Sequence, residues 1–292
     1  MTAPGFWRSP LDPERVMQLP VAHWQDNEQQ RREEHLTVEE PLEIRLDGRS
    51  LAVIMRTPGH DHELACGFLF SEGIIKSHDD MLSIEDAVDA DGLPLANVVD
   101  IALRSSAIAL ADASDAPAFQ RHFAVSASCG LCGKNSIADL LCNIPPVIGD
   151  GTHISPATLY TLTARLRAQQ DVFSHTGGLH AAGLFTNAGE LLLLREDVGR
   201  HNAVDKLIGH GLLHHTLPYT HHILLVSGRT SFEIIQKALL ARIPCIAAIS
   251  APSSLAVELA DTSGITLIGF LRDHAMNVYT HPERINPHDQ TR

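Results

Sequence analysis

The second half of the chain alternates short apolar runs with amphipathic helical segments, and this alternation constrains the fold more than any other feature. The apolar runs lie at 191–194, 223–226, 245–249 and 266–270, and the helical segments lie at 202–208, 232–241 and 255–260. Phe232, Ile235 and Leu239 recur three and four residues apart, as on the buried face of a helix. The pattern predicts an α/β sheet covered by helices.

A polar segment follows each predicted strand of this half. The segments are 195–202, 227–231, 250–254 and 272–274. Ligands of open α/β sheets bind at the carboxyl ends of strands, where helix N-termini present N–H groups to anions. Arg200, Arg229 and Arg272 lie in these segments, and a guanidinium matches a phosphate bidentately. A single loop arginine more often makes a surface ion pair, so the predicted phosphate or pyrophosphate site depends on the recurrence.

The first half predicts a tail followed by a small β-rich unit. Residues 1–36 have no sustained period and are expected to form a mobile tail or an arm. A hairpin is predicted around Asp47-Gly48, then a helix of about ten residues from Asp61, further strands at 74–75 and 98–103, and an acidic loop at 79–95. The predicted domains are a ββαββ roll at 37–120 and an α/β domain at 121–292, with a strand at 121–127 and a short helix from 137 to 141.

Composition excludes several classes of protein. Thirty-five acidic against 22 basic residues give a formal charge of -13, which argues against nucleic-acid and anionic-membrane binding. No apolar run approaches the roughly 20 residues that span a bilayer, and no secretory signal pattern opens the chain, so a cytoplasmic location is expected. Among the 18 histidines, His62, His180 and His201 lie in loops suited to a site, whereas surface positions are expected for most of the others.

Two of the five cysteines form the motif Cys129-Gly130-Leu131-Cys132. An odd number of cysteines without framework spacing favours redox, sulfur or metal chemistry over structural disulfides. Lys134 and a predicted downstream helix N-terminus would both stabilise a thiolate. Nucleophilic sulfur chemistry, with Cys129 carrying a sulfane sulfur as a persulfide, fits best. Core packing is expected for Cys66 and Cys245.

Other interpretations of this motif stay open. Structural zinc needs two more ligands, which Cys142 and a histidine could supply, but no second Cys-x-x-Cys exists. A thioredoxin-like dithiol belongs between the first strand and helix of a compact unit, not in mid-chain. A zinc deaminase requires proline before the first cysteine, where this chain has Ser128, and an upstream His-x-Glu, whereas its His281-Pro282-Glu283 lies downstream. The remaining interpretation is that the two cysteines lie in a loop and have no chemical role.

With these segments together, the chain resembles the FdhD/NarQ family, the formate dehydrogenase accessory sulfurtransferases. The resemblance extends from about Thr37 to Ile285. Besides the Cys129–Cys132 motif, it rests on Thr57-Pro58-Gly59 with Glu63–Leu69, Thr176–His180, Glu196–Lys206, Ser227-Gly228-Arg229, and Gly269–Arg272 leading to Asn277-Val278-Tyr279. The cysteine motif alone is common, but six blocks in this order are specific.

The resemblance implies a cytoplasmic sulfurtransferase that takes sulfur from a cysteine desulfurase and passes it to the molybdenum cofactor, bis-molybdopterin guanine dinucleotide, for formate dehydrogenase. It implies a fold similar to cytidine deaminases without the catalytic zinc, and no metal held by the protein alone. Cys129 matches the persulfide cysteine and Cys132 its partner. The segment tied to cofactor binding is Phe270, Leu271, Arg272, Asp273, His274 and Ala275. The other expected cofactor-binding residues are Ser227, Gly228, Arg229, Arg200, His201 and Asn277.

Two questions stay open at this level. A homodimer is neither required nor excluded by the sequence. A non-catalytic chaperone that holds and delivers the cofactor, with the cysteines used only for docking, is the alternative to a sulfurtransferase.

Overall fold

The structure, a computed structural model, describes residues 7–8, 12–104, 145–147, 151 and 153–286. Its strands are β1 (Trp7–Arg8), β2 (Val16–Gln25), β3 (Glu28–Thr37), β4 (Glu40–Leu46), β5 (Arg49–Arg56), β6 (Met81–Val88), β7 (Pro94–Leu103), β8 (His180–Thr186), β9 (Leu191–Asp197), β10 (His222–Val226), β11 (Cys245–Ala248), β12 (Thr266–Arg272) and β13 (Ala275–Thr280). Its helices are α1 (Asp61–Ser71), α2 (Pro156–Arg167), α3 (Asp171–Thr176), α4 (Arg200–Leu213), α5 (Phe232–Leu240) and α6 (Ser254–Thr262), with short 3₁₀ turns at His78–Asp80 and Pro282–Arg284. The predicted mixed α/β class is confirmed.

A six-stranded mixed sheet organises the second half, in the order β13-β12-β11-β10-β8-β9. β10, β11 and β12 are parallel, and the other neighbouring strands are antiparallel. Successive side chains of a strand point to opposite faces. Ile223 and Leu225 accordingly join the core under α2, whereas Leu224 and Val226 join the core under α4, α5 and α6. The sheet is therefore covered on both faces.

A four-stranded sheet forms the predicted roll, in the order β5-β4-β7-β6, with α1 between β5 and β6 in the chain. The elements of this part follow one another in the order ββαββ, but the third strand is not where the sequence analysis placed it. Residues 74–75 are not a strand, and residues 79–95, predicted as a loop, contain β6. β6 was missed because acidic and exposed side chains, together with register shifts after Met81 and Asp86, interrupt its alternation.

Residues 16–37 form a long hairpin of β2 and β3. Of the two alternatives expected for residues 1–36, a mobile tail or an arm, the mobile tail is wrong for the hairpin residues. Its two-residue turn has Asp26 at φ 47° and Asn27 at φ 66°, the left-handed pair that matches the twist of the flanking strands. Pro20 and the polar run from Gln25 to Glu34 concealed this pairing in the sequence. The domain boundaries at residues 36 and 120 stay predictions, and the strand at 121–127 and the helix at 137–141 lie outside the described residues.

One hydrophobic core extends from the roll into the six-stranded sheet. It contains Ile44 of β4, Leu64 of α1, Leu207 of α4 and Leu224 of β10, all fully buried. α1 packs directly against α4, so the predicted roll and the sheet share their interior. No helix in the described part of the chain has the length and apolarity needed to cross a membrane.

Candidate functional site

The carboxyl ends of β10, β11 and β12 meet at one edge of the six-stranded sheet, as the strand-end motifs predicted. β8 runs antiparallel beside β10, which places its first residue, His180, next to the end of β10. The amide of Ala181 donates to Ser227 Oγ at 2.9 Å, and the Ser227 amide donates to the Ala181 carbonyl at 3.0 Å. Two motifs far apart in the sequence thus form one wall of the site.

His180, Gly228 and Arg200 converge at this wall. His180 Nδ1 lies 3.5 Å from Ser227 Oγ. A Cβ atom added at Gly228 would lie 3.3 Å from His180 Nδ1 and 3.4 Å from two carbons of Arg200. The loop after β10 therefore packs closely against both side chains, and a larger residue at position 228 would require them to shift by a few tenths of an ångström. Burial, and then the charge of Arg200, lower the pKa of His180, which favours a neutral imidazole there.

His201 joins the start of α4 to the start of α5. Its Nε2 lies 3.2 Å from Ser231 Oγ and 3.8 Å from a carboxylate oxygen of Glu233. Burial, followed by the charges of Arg200 and Lys237, lowers the pKa of His201 to about 4. The imidazole is thus neutral near pH 7, where it can exchange protons or accept a hydrogen bond but adds no positive charge.

The predicted cofactor-binding segment, residues 270–275, spans the end of β12 and the start of β13. Phe270 has a φ of 53° and its side chain is 43% exposed, an unusual combination for an aromatic residue. Its amide donates to the Ser250 carbonyl, and Arg272 Nη1 donates to the Ile249 carbonyl at 2.6 Å. Backbone strain that surrounding bonds maintain is frequent at functional sites. Asn277, also predicted, pairs with Gly269 on the neighbouring strand.

A crevice of about 630 Å³ connects this segment to the wall around His180. His180, Ser227 and Asp273 line it, and so do Arg167 and Phe173, which the sequence did not single out. The Arg167 guanidinium carbon stacks 3.9 Å above the Phe173 ring, giving the crevice a flat cationic surface. No local pattern marks these two residues, because α2 and α3 reach the crevice only through the tertiary fold.

Several predicted site residues are not among the described residues that line this crevice. Cys129, Cys132 and Cys142 are outside the described residues. Arg229 is exposed in the loop before α5, and His62 pairs with Asp86 at 2.9 Å in the roll, away from the strand ends. Cys66 and Cys245 are buried, as predicted, and burial raises the pKa of the Cys66 thiol to about 12, which leaves it unreactive.

The block at 196–206 contributes structure as well as site residues. Lys206 Nζ lies 2.7 Å from an oxygen of the fully buried Asp197 and donates to the Thr57 carbonyl at 2.8 Å. The Thr57 amide donates to Asp197 in return. Asn202 Nδ2 donates to the Met55 carbonyl and to Asp197. This network fixes the Thr57-Pro58-Gly59 turn of the roll against α4, a role that the sequence did not reveal.

Glu63, His210 and His214 place metal-ligating atoms within 4.8 Å of one another. Arg195, however, donates to both carboxylate oxygens of Glu63, and His210 Nδ1 lies 2.9 Å from one of them. Burial alone would raise the pKa of Glu63, but these hydrogen bonds lower it. A guanidinium already neutralises the carboxylate where a metal ion would have to bind, so we interpret this cluster as an ion pair between elements.

Comparisons with known proteins agree on one family. The sequence profile of the FdhD/NarQ family matches residues 37–286. The chain is 50% identical over 258 residues to the Streptomyces avermitilis protein called sulfur carrier protein FdhD, covering 87% of this chain and 90% of that protein. It is 48% identical over 261 residues to the Mycobacterium tuberculosis protein of the same name, covering 87% of this chain and 92% of the relative.

A solved structure is similar across most of the chain. A crystal structure of a formate dehydrogenase accessory protein from Desulfotalea psychrophila has a TM-score of 0.72 and 26% identity. The likeness covers 93% of this chain and 100% of the other.

Proposed function

Because the chain belongs to the FdhD/NarQ family, we propose that it is a sulfur carrier for formate dehydrogenase maturation. In this proposal Cys129 accepts sulfur from a cysteine desulfurase in the cytoplasm. The protein then transfers the sulfur to bis-molybdopterin guanine dinucleotide, which binds as substrate. The observation that carries the proposal is its extensive similarity to relatives named sulfur carrier proteins, together with the Cys129-Gly-Leu-Cys132 motif.

The sulfur-transfer steps balance in atoms and electrons without a metal ion bound by the protein. The Cys129 thiolate attacks the terminal sulfur of the donor persulfide, so a new S–S bond forms and the donor cysteine leaves as a thiolate. Cys132 can then attack Cys129 Sγ, which expels the carried sulfur as sulfide toward the cofactor and forms a Cys129–Cys132 disulfide. A cellular dithiol must reduce this disulfide before the next cycle.

The crevice at the strand ends supports the cofactor half of the proposal. Its Arg167–Phe173 stack offers a flat surface for a guanine ring, and the half-exposed Phe270, which precedes the lining residue Asp273 by three positions, offers a second one. Asp273 supplies a carboxylate suited to the N–H groups on the guanine edge, and Ser227 supplies a hydroxyl. Helices on both faces of the sheet are also in keeping with the cytidine-deaminase-like fold that we propose for this half.

Mass spectrometry tests the sulfur half. Incubating the protein with a desulfurase and cysteine should increase the mass of the Cys129 peptide by one sulfur atom. The variant Cys129→Ala should show no increase and should not support formate dehydrogenase maturation. Cys66 and Cys245 are internal controls, since both are buried and should stay unmodified. An unmodified Cys129 in the wild-type protein would contradict the proposal.

A second candidate is a chaperone that holds and delivers the cofactor without sulfur chemistry. The observation behind it is the crevice with its Arg167–Phe173 stack, which supports cofactor binding whether or not sulfur chemistry takes place. The same experiment separates the candidates: cofactor binding by a protein whose Cys129 never gains sulfur would identify the chaperone.

A further inference from the structure

The crevice at the strand ends is bordered by α3, a helix of only six residues. Helices this short are marginal by themselves, so tertiary contacts must fix where α3 lies. α3 supplies Phe173 to the crevice, and the buried Gln170, which also lines the crevice, directly precedes it. Among the described elements, α3 packs most extensively against β3 of the N-terminal hairpin. The position of Phe173 therefore depends on a hairpin that lies almost entirely before the range matched by the family profile.

A small hydrophobic cluster joins α3 to the start of the hairpin. Val16 of β2 is 1% exposed and packs with Val172 of α3 and with Leu179. Phe173 and Val198 pack against the same cluster. Val172 belongs to neither of the two larger cores. Val16 therefore supplies a main part of the apolar surface on which α3 rests.

Polar contacts hold the end of α3 against the end of the hairpin. Thr37 Oγ1 donates to Thr176 Oγ1 at 2.9 Å, and Thr176 is the last residue of α3. A Cβ atom added at Gly178 would lie 2.8 Å from Thr37 Oγ1, closer than such atoms ordinarily approach. Glycine at this position thus lets the chain pass from α3 to β8 directly beside Thr37.

A buried carboxylate links the start of α3 to the residue that precedes β2. Glu196 accepts from the side-chain amide of Gln170 at 3.3 Å, and its other carboxylate oxygen lies 3.6 Å from Arg15 Nη2. Burial raises the pKa of Glu196, and the charge of Arg15 and hydrogen bonds from Gln170 and the Phe173 backbone oppose this rise. Arg15 thus stabilises the ionised carboxylate that accepts from the start of α3.

The outer half of the hairpin has a different character. Residues 24–33 are all exposed, and Val21 belongs to none of the hydrophobic clusters of the described residues. The described contacts that fix α3 thus come from the base of the hairpin, at Arg15, Val16 and Thr37. The two ends of the same strand, β2, can therefore be compared directly.

We propose that the base of the hairpin is a positioning element of the crevice, in which Arg15, Val16 and Thr37 hold α3 so that Phe173 stays in place for the ligand. These residues act through α3 and need not touch the ligand themselves. The proposal rests on the proposed function in one respect, since it takes the ligand of the Arg167–Phe173 stack to be a guanine ring. A stacking surface that is already in place binds a ring more tightly than one that must first be ordered.

Val16→Ala tests this positioning role, and Val21→Ala is its matched control. Both substitutions shorten a valine of β2 by the same two methyl groups, but only Val16 belongs to the cluster at α3. By titration calorimetry we expect Val16→Ala to raise the Kd for guanosine and for GDP about tenfold, as the loss of one base-stacking contact does. Val21→Ala should bind both like the wild type.

A double-mutant cycle with Phe173→Ala separates positioning from a general loss of stability. If the hairpin acts through Phe173, Val16→Ala should have no further effect on the GDP affinity once the ring is absent. A merely structural role would weaken GDP binding by the same factor in both backgrounds.

Arg15 provides a second variant that leaves the hydrophobic cluster intact. We expect Arg15→Ala to raise the Kd for GDP about threefold, the effect of losing one partly exposed ion pair. Arg15→Lys keeps a cation near Glu196 and should restore the affinity.

The outcomes separate the positioning role from the sulfur chemistry. Unchanged GDP affinity in both Val16→Ala and Arg15→Ala overturns the positioning role, whatever happens at Cys129, and so does an equal loss in Val21→Ala. Absence of guanine binding by the wild-type protein overturns it too, although sulfur found on Cys129 would still support the sulfur carrier. A Val16→Ala loss that disappears in the Phe173→Ala background supports it, even if Cys129 stays unmodified.

Discussion

His201 shows how the site controls charge at the level of a single residue. Its ring contacts Ser231, and burial, Arg200 and Lys237 lower its pKa to about 4, against the opposing effect of Glu233 and Asp205. The unfolded chain has the ordinary pKa of 6.5. Between these two values the unfolded state binds a proton that the folded state does not. The free energy of unfolding must therefore fall as the pH decreases from about 6.5 to about 4.

We expect His201→Gln to remove part of this acid sensitivity. Glutamine can keep the hydrogen bond to Ser231 but does not titrate. Between about pH 7 and pH 4.5 the variant should lose less stability than the wild type, by on the order of 2 kcal/mol. Urea denaturation at several pH values measures the difference. The control His221→Gln, at an exposed position, should follow the wild-type curve. An unchanged acid slope in His201→Gln would show that His201 is not held neutral.

The role of a single residue could be predicted from the sequence where its hydrogen-bond partner lies close to it along the chain. Ser155 caps α2, and the pair Ser155-Pro156 is a local signal for such a cap, because the cap and its target are only three residues apart. The ion pair of Asp197 and Lys206 was missed because both residues form hydrogen bonds to Thr57, which lies about 140 residues earlier in the chain. The hydroxyl of Thr230 is buried and has no hydrogen-bond partner among the described residues, and the sequence could not show this, since burial is a property of the assembled fold.

At the level of the elements, α1 and α4 cross with their backbones in close contact. A Cβ atom on Gly67 would lie 1.9 Å from the Asp205 carbonyl oxygen, and one on Gly209 would lie 1.8 Å from that of Glu63. The obstacle in both cases is backbone, which cannot move aside as a flexible side chain can. The two helices therefore depend on glycine at both positions to approach each other.

We expect Gly67→Ala to destabilise the protein by more than about 3 kcal/mol, because the helices must separate and lose core contacts. Chemical denaturation measures the loss. Gly92→Ala is the comparison: Gly92 has a φ of 79° but no atom within 4 Å of an added Cβ. That variant should cost only the backbone strain, about 1 kcal/mol. Similar losses in both variants would mean that the crossing tolerates a methyl group.

Elements with strong periodicity were predictable, and those with mixed polarity were not. The helices at α4, α5 and α6 and the strands at β9 to β12 follow the sequence pattern closely, because each buries one clear apolar face. β3 and β6 are edge strands with many charged side chains, and such residues protect edges from aggregation while hiding the alternation. β13 was missed because Ala275 and Tyr279, both apolar, lie on its exposed side, so the polarity of its sequence does not alternate although its burial does.

For the whole molecule, the structure joins the two predicted domains through shared interior. The core around α1 and α4 contains residues of both sheets. The buried pair of Asp197 and Lys206 adds polar bonds from the second half to the Thr57 turn of the first. The division at residue 120 follows the sequence pattern, but a pattern along the chain cannot show that two units bury their surfaces against each other. We therefore expect both halves to unfold together.

Lys206→Met should test this coupling. The substitution leaves the Asp197 carboxylate buried without its cation, which typically costs about 3–5 kcal/mol. Since Lys206 also holds the Thr57 carbonyl, the loss should affect the roll as much as the six-stranded sheet. Calorimetry should show one transition, shifted to lower temperature as a whole. The exposed Lys76, replaced by methionine, is the control and should leave the transition unchanged.

The double variant Asp197→Asn with Lys206→Met determines whether charge causes the loss. Without the carboxylate, the missing ammonium group leaves no buried charge unpaired. Asparagine can still accept from one of the Thr57 and Gly199 amides, which donate to different oxygens of Asp197. The double variant should therefore be more stable than Lys206→Met alone, although less stable than the wild type, which a double-mutant cycle quantifies. Two separate calorimetric transitions in any of these proteins would mean that the roll and the sheet unfold independently, and that the polar network only fixes their orientation.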